Sequence, residues 1–273
     1  MLPEDELVER IRAVAGTGDG LVVGIGDDAA VLDGGFVVCC DMLVDGVHFD
    51  SSRWSLRQIG ARAAAVNLSD LAAMGAQPVC LLAAFGLPPD RGDAGELASG
   101  MASHGVPLAG GDLSRAASLT VSVTAVGRAQ HPVLRSGGHA GDRLVVTGSL
   151  GAQAASGFTA EVTPRLREGR ELAAIATAMI DLSDGIARDA GRLARASGCG
   201  ARIDLGRLPL AAGATLEQAA AGGEDYELLA ALPATQPQPS FVTDVGELTG
   251  DGAVLLLDAS GPRHDLAGWD HFQ

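Results

Sequence analysis

The chain has no lysine. All 19 of its basic residues are arginine, so neither a P-loop lysine nor a Schiff-base lysine is available. Phosphate charge must be met by arginine, backbone amides or metal. Aromatics are nearly as scarce, at 3% of 273 residues, which makes Trp54, Tyr226, Trp269 and the six Phe more informative than usual. No apolar run approaches the ~18 to 20 residues of a membrane span. The N-terminus, Met1-Leu2-Pro3-Glu4-Asp5-Glu6, lacks the basic start of a secretory signal, so the expected compartment is the cytoplasm, with no membrane partner. A basic stripe is missing too: a formal charge of −15 argues against a nucleic-acid surface. The four cysteines, Cys39, Cys40, Cys80 and Cys199, show no zinc-like spacing and no disulfide framework. They read as reduced, small, buried side chains. No nucleophile paired with a base is visible.

What the chain does have is carboxylate at the ends of apolar runs. Gly26-Asp27-Asp28, Cys40-Asp41, Asn67-Leu68-Ser69-Asp70, Gly110-Gly111-Asp112 and Asp181-Leu182-Ser183-Asp184 recur in order, followed by Gly222-Gly223-Glu224-Asp225. Carboxylates gathered without cationic partners repel one another, and hard divalent cations such as Mg²⁺ are the usual remedy. Each motif also has a plainer reading. The three glycine-led motifs suit turns, and Gly24-Ile25-Gly26 is a poor dinucleotide fingerprint because two acids sit where a pyrophosphate needs bare amides. Ser183 or Asp184 suits a helix N-cap, although that end of a helix is equally an anion site. His48 and Trp269 each fit a structural role, against a ligand contact for the histidine and an aromatic platform for the tryptophan. Asn67 and Asp70 are harder to explain by structure alone. They share a face of an Ala- and Leu-rich helix, where polar groups need partners.

Strands and helices alternate through both halves, which predicts two α/β-type domains with the acidic motifs at a shared cleft. The N-terminal half reads as a helix over 3–15, strands over 21–25 and 36–40, a long helix over 56–74, a strand over 79–87, a short helix over 94–103 and a strand over 119–127. A Gly-rich polar stretch over 135–142 marks the connection, giving domains 1–134 and 135–273. The second half reads as a strand over 144–147, helices near 151–157, 171–178 and 184–196, and strands near 201–205, 226–232, 241–246 and 253–257.

Taken in order, these motifs resemble the thiamine-monophosphate kinase family, within the superfamily typified by aminoimidazole ribonucleotide synthetase. Arg135-Ser136-Gly137 and Trp269-Asp270-His271-Phe272 add to the match, which runs over nearly the whole chain. The resemblance implies a mixed α/β, two-domain synthetase-like fold, its N-terminal sheet closing a barrel across a homodimer. It also implies ATP-dependent phosphorylation of thiamine monophosphate to thiamine diphosphate with several Mg²⁺ ions. By motif position, Asp28, Asp41, Asp70, Asp112, Asp181 and Asp184 would hold Mg²⁺. Gly111, Asp112, Arg135 and Ser183 would contact ATP, and His48, Glu224 and Trp269 the substrate. The reacting phosphates would lie between Asp28, Asp41, Asp70 and Arg135.

Two departures stand out. Cys39 and Cys40 occupy positions where the family has Ser or Thr, and a thiol is a poor Mg²⁺ ligand, so only their backbone carbonyls could serve as metal ligands. The chain is also shorter than typical members around 90–104 and 157–171. A non-catalytic sensor of thiamine phosphate or nucleotide is the alternative these departures support. Another ATP-dependent enzyme of the superfamily is a second alternative.

Overall fold

The computed structural model describes residues 4–90 and 93–269. Helix α1 (Glu4–Ala15) leads into a six-stranded sheet of β1 (Leu21–Val23), β2 (Ala30–Leu32), β3 (Phe36–Val44), β4 (Gln77–Leu87), β5 (Leu108–Arg115) and β6 (Thr120–Arg128). Their order is β1-β2-β3-β6-β4-β5. Only β4 and β5 run parallel, and helix α3 (Ala94–Ala102) supplies the crossover such a pair needs. The second domain carries β7 (Arg143–Thr147), β8 (Ala178–Asp181), β9 (Gly200–Asp204), β10 (Leu228–Leu232), β11 (Val242–Thr249), β12 (Val254–Asp258) and β13 (Gly261–Arg263). These form a mixed sheet in the order β13-β12-β9-β11-β7-β10-β8, flanked by helices α4 (Ala152–Ala155), α5 (Leu166–Ala173), α6 (Ile186–Ala196) and α7 (Leu216–Ala221). Among the described residues neither sheet closes on itself, and no helix is long and apolar enough to cross a membrane.

Helix α2 (Leu56–Ala73) joins the two domains. Its start is set by a capping box in which Ser55 and Gln58 bond each other's backbone amides. Its sequence is apolar almost all round, which is what a helix covered on both sides requires. Leu68 and Leu71 pack under the first sheet with Val37, Val121 and Val123, while Ala72 and Ala73 pack with Leu172, Met179 and Leu228 of the second domain. Close approach depends on glycine. A Cβ on Gly60 would lie 2.0 Å from the Leu97 carbonyl, and one on Gly169 of α5 2.2 Å from that of Ala72.

The structure corrects several expectations. Strand β3 does not stop at Cys40 but runs in register with β6 to Val44, because Met42-Leu43-Val44 continues the β-forming pattern; Asp41 therefore sits inside a strand. Gly110-Gly111-Asp112 is no turn either. It lies in β5, where Gly111 pairs with Ala83 and a Cβ would meet the Ala83 carbonyl at 1.7 Å. The Ala-rich segment read as a helix over 171–178 is instead the end of α5, a turn over 174–177 and the first residue of β8, which pairs with β10 in a fully buried layer. Helix α6 begins after Gly185, with no side-chain cap from Ser183 or Asp184. Pro3, expected at the start of α1, lies outside the described residues, as do Asp270, His271 and Phe272.

Replacing Gly60 with alanine, a better helix former by ~1 kcal/mol, is expected to destabilise the chain by about 1 to 3 kcal/mol through overpacking against α3. Urea unfolding of Gly60→Ala measures this, and a gain in stability would contradict the close packing.

Candidate active site

A cleft of about 1030 Å³ opens between the two domains, with α1 along one side. Three carboxylates from three separate elements meet in it. Asp28 follows the turn after β1, Asp70 lies in the last turn of α2, and Asp181 ends β8. Each places an oxygen within 4.8 Å of the others. The Asp28 carboxylate is fully buried, and Arg135 donates to its Oδ1 from Nη2 at 2.7 Å and Nε at 3.2 Å. Asp28 Oδ2 is buried with no hydrogen-bond partner. Ser69 Oγ donates to Asp181 Oδ2 at 2.7 Å.

The electrostatics follow from that crowding. Burial, then the charges of Asp41, Asp181 and Asp28, raise the Asp70 pKa well above the usual carboxylate range. Burial, then Asp28, does the same to Asp181. Asp27, which accepts the Arg135 backbone N–H, is pushed up to about 6 by burial and then by Asp28. Burial opposes the charge on Arg135, but Asp28 and the other acids outweigh it and hold the guanidinium ionised. A cluster of hard oxygen donors with one orphaned, buried oxygen fits a divalent cation of the Mg²⁺ type, held by Asp28, Asp70 and Asp181.

Asp41 faces the same cleft from β3, with its backbone N–H bonded to Asn67 Oδ1 at 3.0 Å. Cys40 lines the cleft with its thiol 3.6 Å from Ser122 Oγ. Cys39 points the other way into the core and donates to the Asn67 carbonyl; burial, then Asp70 and Asp41, push its pKa up and keep it a neutral thiol. His48 also lines the cleft, and its Nδ1 accepts from the Val44 N–H at 3.0 Å. The neutral ring therefore carries its proton on Nε2.

From the second domain come Ser183, Asp184, Glu224 and Trp269. Asp184 is not part of the three-carboxylate cluster. Arg192 Nη1 donates to it at 2.5 Å, and its backbone carbonyl receives the Trp269 N–H. Glu224 sits at φ +61 and pairs with buried Arg62 at 2.7 Å. Gly111 and Asp112 are not brought to this cleft. Asp41 pairs with Val123, Val123 with Ala83, and Ala83 with Gly111. Three strand spacings, ~14 Å, thus separate β3 from β5, and β5 is exposed along its whole length.

Sequence reasoning did not single out Asp27, Arg62, Ser69 or Arg192. Ser69 and Asp27 lie within motifs already noticed, so their position was the available signal. Arg62 and Arg192 carry none, because their partners are distant in sequence or masked by helical charge patterning.

Residues 26–129 match the family model of the AIR synthase related protein N-terminal domain, and residues 139–252 that of the C-terminal domain. The thiamine-monophosphate kinase of Halobacterium salinarum is 38% identical over 283 residues, covering 92% of this chain and 96% of that protein. That of Rhodopirellula baltica is 38% identical over 267 residues, covering 84% of each. Among solved structures, AaThiL complexed with AMPPCP and TMP superposes with a TM-score of 0.88 at 27% identity, covering 99% of this chain and 97% of that one. With both domains matched and such relatives aligned over most of its length, the chain belongs to the thiamine-monophosphate kinase family of AIR synthase related proteins.

Proposed function

We propose that this chain transfers the γ-phosphoryl group of ATP to the phosphate of thiamine monophosphate, producing thiamine diphosphate and ADP. The observation that carries this reading is the convergence of Asp28, Asp70 and Asp181 beside Arg135 in one interdomain cleft. The attacking atom is a phosphate-monoester oxygen, largely ionised at neutral pH because its second pKa is about 6. No side chain has to remove a proton. The new bond joins that oxygen to the γ-phosphorus as the bond to the bridging oxygen of ADP breaks, with no phosphoprotein between.

The protein's task is to hold two anions in line and neutralise the charge between them. Asp28, Asp70 and Asp181, with Asp41 beside them, would hold Mg²⁺. When bound, the metal would supply positive charge against that of the phosphates. Arg135, fixed by Asp28, is a stationary cation for the ATP phosphates, with Ser183 as a further ATP contact. His48 would donate to the substrate from Nε2, Glu224, which shares its charge with Arg62, would contact it as well, and Trp269 would offer a face for a planar ring. Asp184 belongs to the metal set only if Arg192 yields it. Cys39 and Cys40 contribute at most their backbone carbonyls.

The homodimer belongs to the same reading. The first-domain sheet leaves Met42 and Leu82 exposed on its uncovered face, and Leu113 on the exposed edge strand β5. Closure of a barrel against a second copy would cover them and bring Gly111 and Asp112 to the junction, where they would serve ATP and metal.

Incubation with ATP, Mg²⁺ and thiamine monophosphate is expected to yield thiamine diphosphate by chromatography. Asp70→Asn, which keeps the shape and removes one charge, should lower turnover about 100-fold. Binding without turnover would mean a sensor. The pH dependence follows from the raised carboxylates, of which Asp27 titrates at about 6 and Asp189 at about 7, the latter raised by burial and then Asp184. Each is protonated more readily folded than unfolded, so the stability it contributes is complete below the ordinary value of 3.8 and is lost as pH rises through about 6 to 7. EDTA-treated protein should therefore show a lower Tm at about pH 7.5 than at about 5.5, with saturating Mg²⁺ restoring it. A metal-free Tm that climbs across this window would contradict the crowded cluster.

A further inference from the structure

We infer that the Asn67–Asp70 segment of α2 is a two-sided brace, in which Asn67 and Ser69 are positioning residues that hold the carboxylates of both domains in register for metal binding. The inference rests on reading the cluster as a Mg²⁺ site. Both side chains are fully buried, in a helix whose other buried positions, Arg62 apart, are apolar, so each polar atom must find a partner inside the protein. Their partners lie in different domains.

Asn67 grips the first domain. Its Nδ2 donates to the Ala63 carbonyl one turn back, which fixes the amide's orientation and aims Oδ1 away from the helix. Oδ1 then accepts the backbone N–H of Asp41 at 3.0 Å. Strand β2 pairs with β3 only as far as Val38, so beyond that point no strand among the described residues neighbours it on that side. Asn67 replaces the missing strand at the residue whose carboxylate faces the cleft. The Cys39 thiol donates to the Asn67 carbonyl at 3.2 Å, so the helix holds β3 on both sides of Cys40.

Ser69 grips the second domain. Two residues along a helix is a rotation of about 200°, which turns it away from Asn67 and towards β8. There its hydroxyl donates to Asp181 Oδ2 at 2.7 Å, a charge-assisted bond across the domain junction. Asp181 is buried within 4.8 Å of two like charges and would otherwise be pushed away from them. Holding one of its oxygens limits rotation of the carboxylate. Asp70, three residues after Asn67 and on the same face, is the member of the cluster that the helix itself supplies. One helical turn thus sets the separation of carboxylates from β3, α2 and β8. Hydrogen bonds to metal ligands of this kind change metal affinity by roughly 10- to 100-fold.

The test is calorimetric titration of the EDTA-treated full chain with MgCl₂ alone, comparing wild type, Ser69→Ala, Ser69→Thr and Leu71→Ala. Leu71 is a buried core residue facing the first sheet, so its truncation lowers stability without touching the cluster. Ser69→Ala is expected to weaken Mg²⁺ binding about tenfold with the KM for thiamine monophosphate within about twofold of wild type. Ser69→Thr, which keeps the hydroxyl, should recover most of the affinity. Leu71→Ala should lose more Tm than Ser69→Ala yet bind Mg²⁺ normally. For the other half, Asn67→Ala should speed amide hydrogen exchange at Asp41 while leaving Val121 and Val123 of β6 protected. Wild-type affinity in Ser69→Ala, or equal weakening in Leu71→Ala, overturns the brace, and so does unchanged exchange at Asp41. Wild-type protein that binds Mg²⁺ as described but makes no thiamine diphosphate removes the proposed reaction and leaves the brace supported. Wild type that binds no Mg²⁺ overturns both.

Discussion

Three carboxylates drawn from three separate elements and buried within 4.8 Å of one another form the constraint on which this molecule is built. Left alone they repel, and burial removes the water that would screen them. Asp28 has Arg135, and Asp181 has the Ser69 hydroxyl, but among the described residues neither Asp70 nor Asp181 has an arginine ion pair of its own. The arrangement persists because the surrounding packing over-determines it. Helix α2 is clasped between two hydrophobic cores, so Asp70 cannot retreat without separating the domains. Local electrostatic strain held by a rigid scaffold is a usual mark of a functional site.

The other buried acids make the contrast clear. Glu227 is gripped by Arg165 through both oxygens and by Thr147. Asp184 and Asp189 share Arg192, and Glu224 pairs with Arg62, which also packs over Trp54 at 5.3 Å. In a chain without lysine, arginine's planar fork carries all of these pairings. Of these paired acids, Asp184 and Glu224 line the cleft on the second-domain side, while the under-compensated ones lie at its centre. The chain places its uncompensated negative charge where a cation and a cationic substrate would be met.

How much of this was legible depended on how local the signal was. Asp28, Asp41, Asp70 and Asp181 stood out because each ends or interrupts an apolar run, and the structure places all four at one cleft. The long helix was readable from its Ala- and Leu-rich run, but the capping box at its start and its burial between two domains were not singled out. Where reading failed, tertiary pairing had overridden local preference. Ala178–Asp181 is a strand because β10 is beside it, and Gly110-Gly111-Asp112 is strand because Gly111 lets β4 approach. Asp184 looked like a helix cap but is taken by Arg192. Partnerships such as Arg62 with Glu224, 162 residues apart, leave no trace in a single sequence. The separation of Asp112 from the cleft was equally hidden, since it depends on strand order rather than on motif order.

The central claim is that the Asp28–Asp70–Asp181 cluster is a divalent-cation site. Anomalous diffraction from crystals grown with Mn²⁺ in place of Mg²⁺ tests it most directly, because the scattering locates the metal independently of activity. The account predicts an anomalous peak within coordination distance of oxygens from all three aspartates, with the Ser69–Asp181 bond intact. Peaks confined to other carboxylates, or a cluster empty at saturating Mn²⁺ and closed by arginine instead, would contradict it.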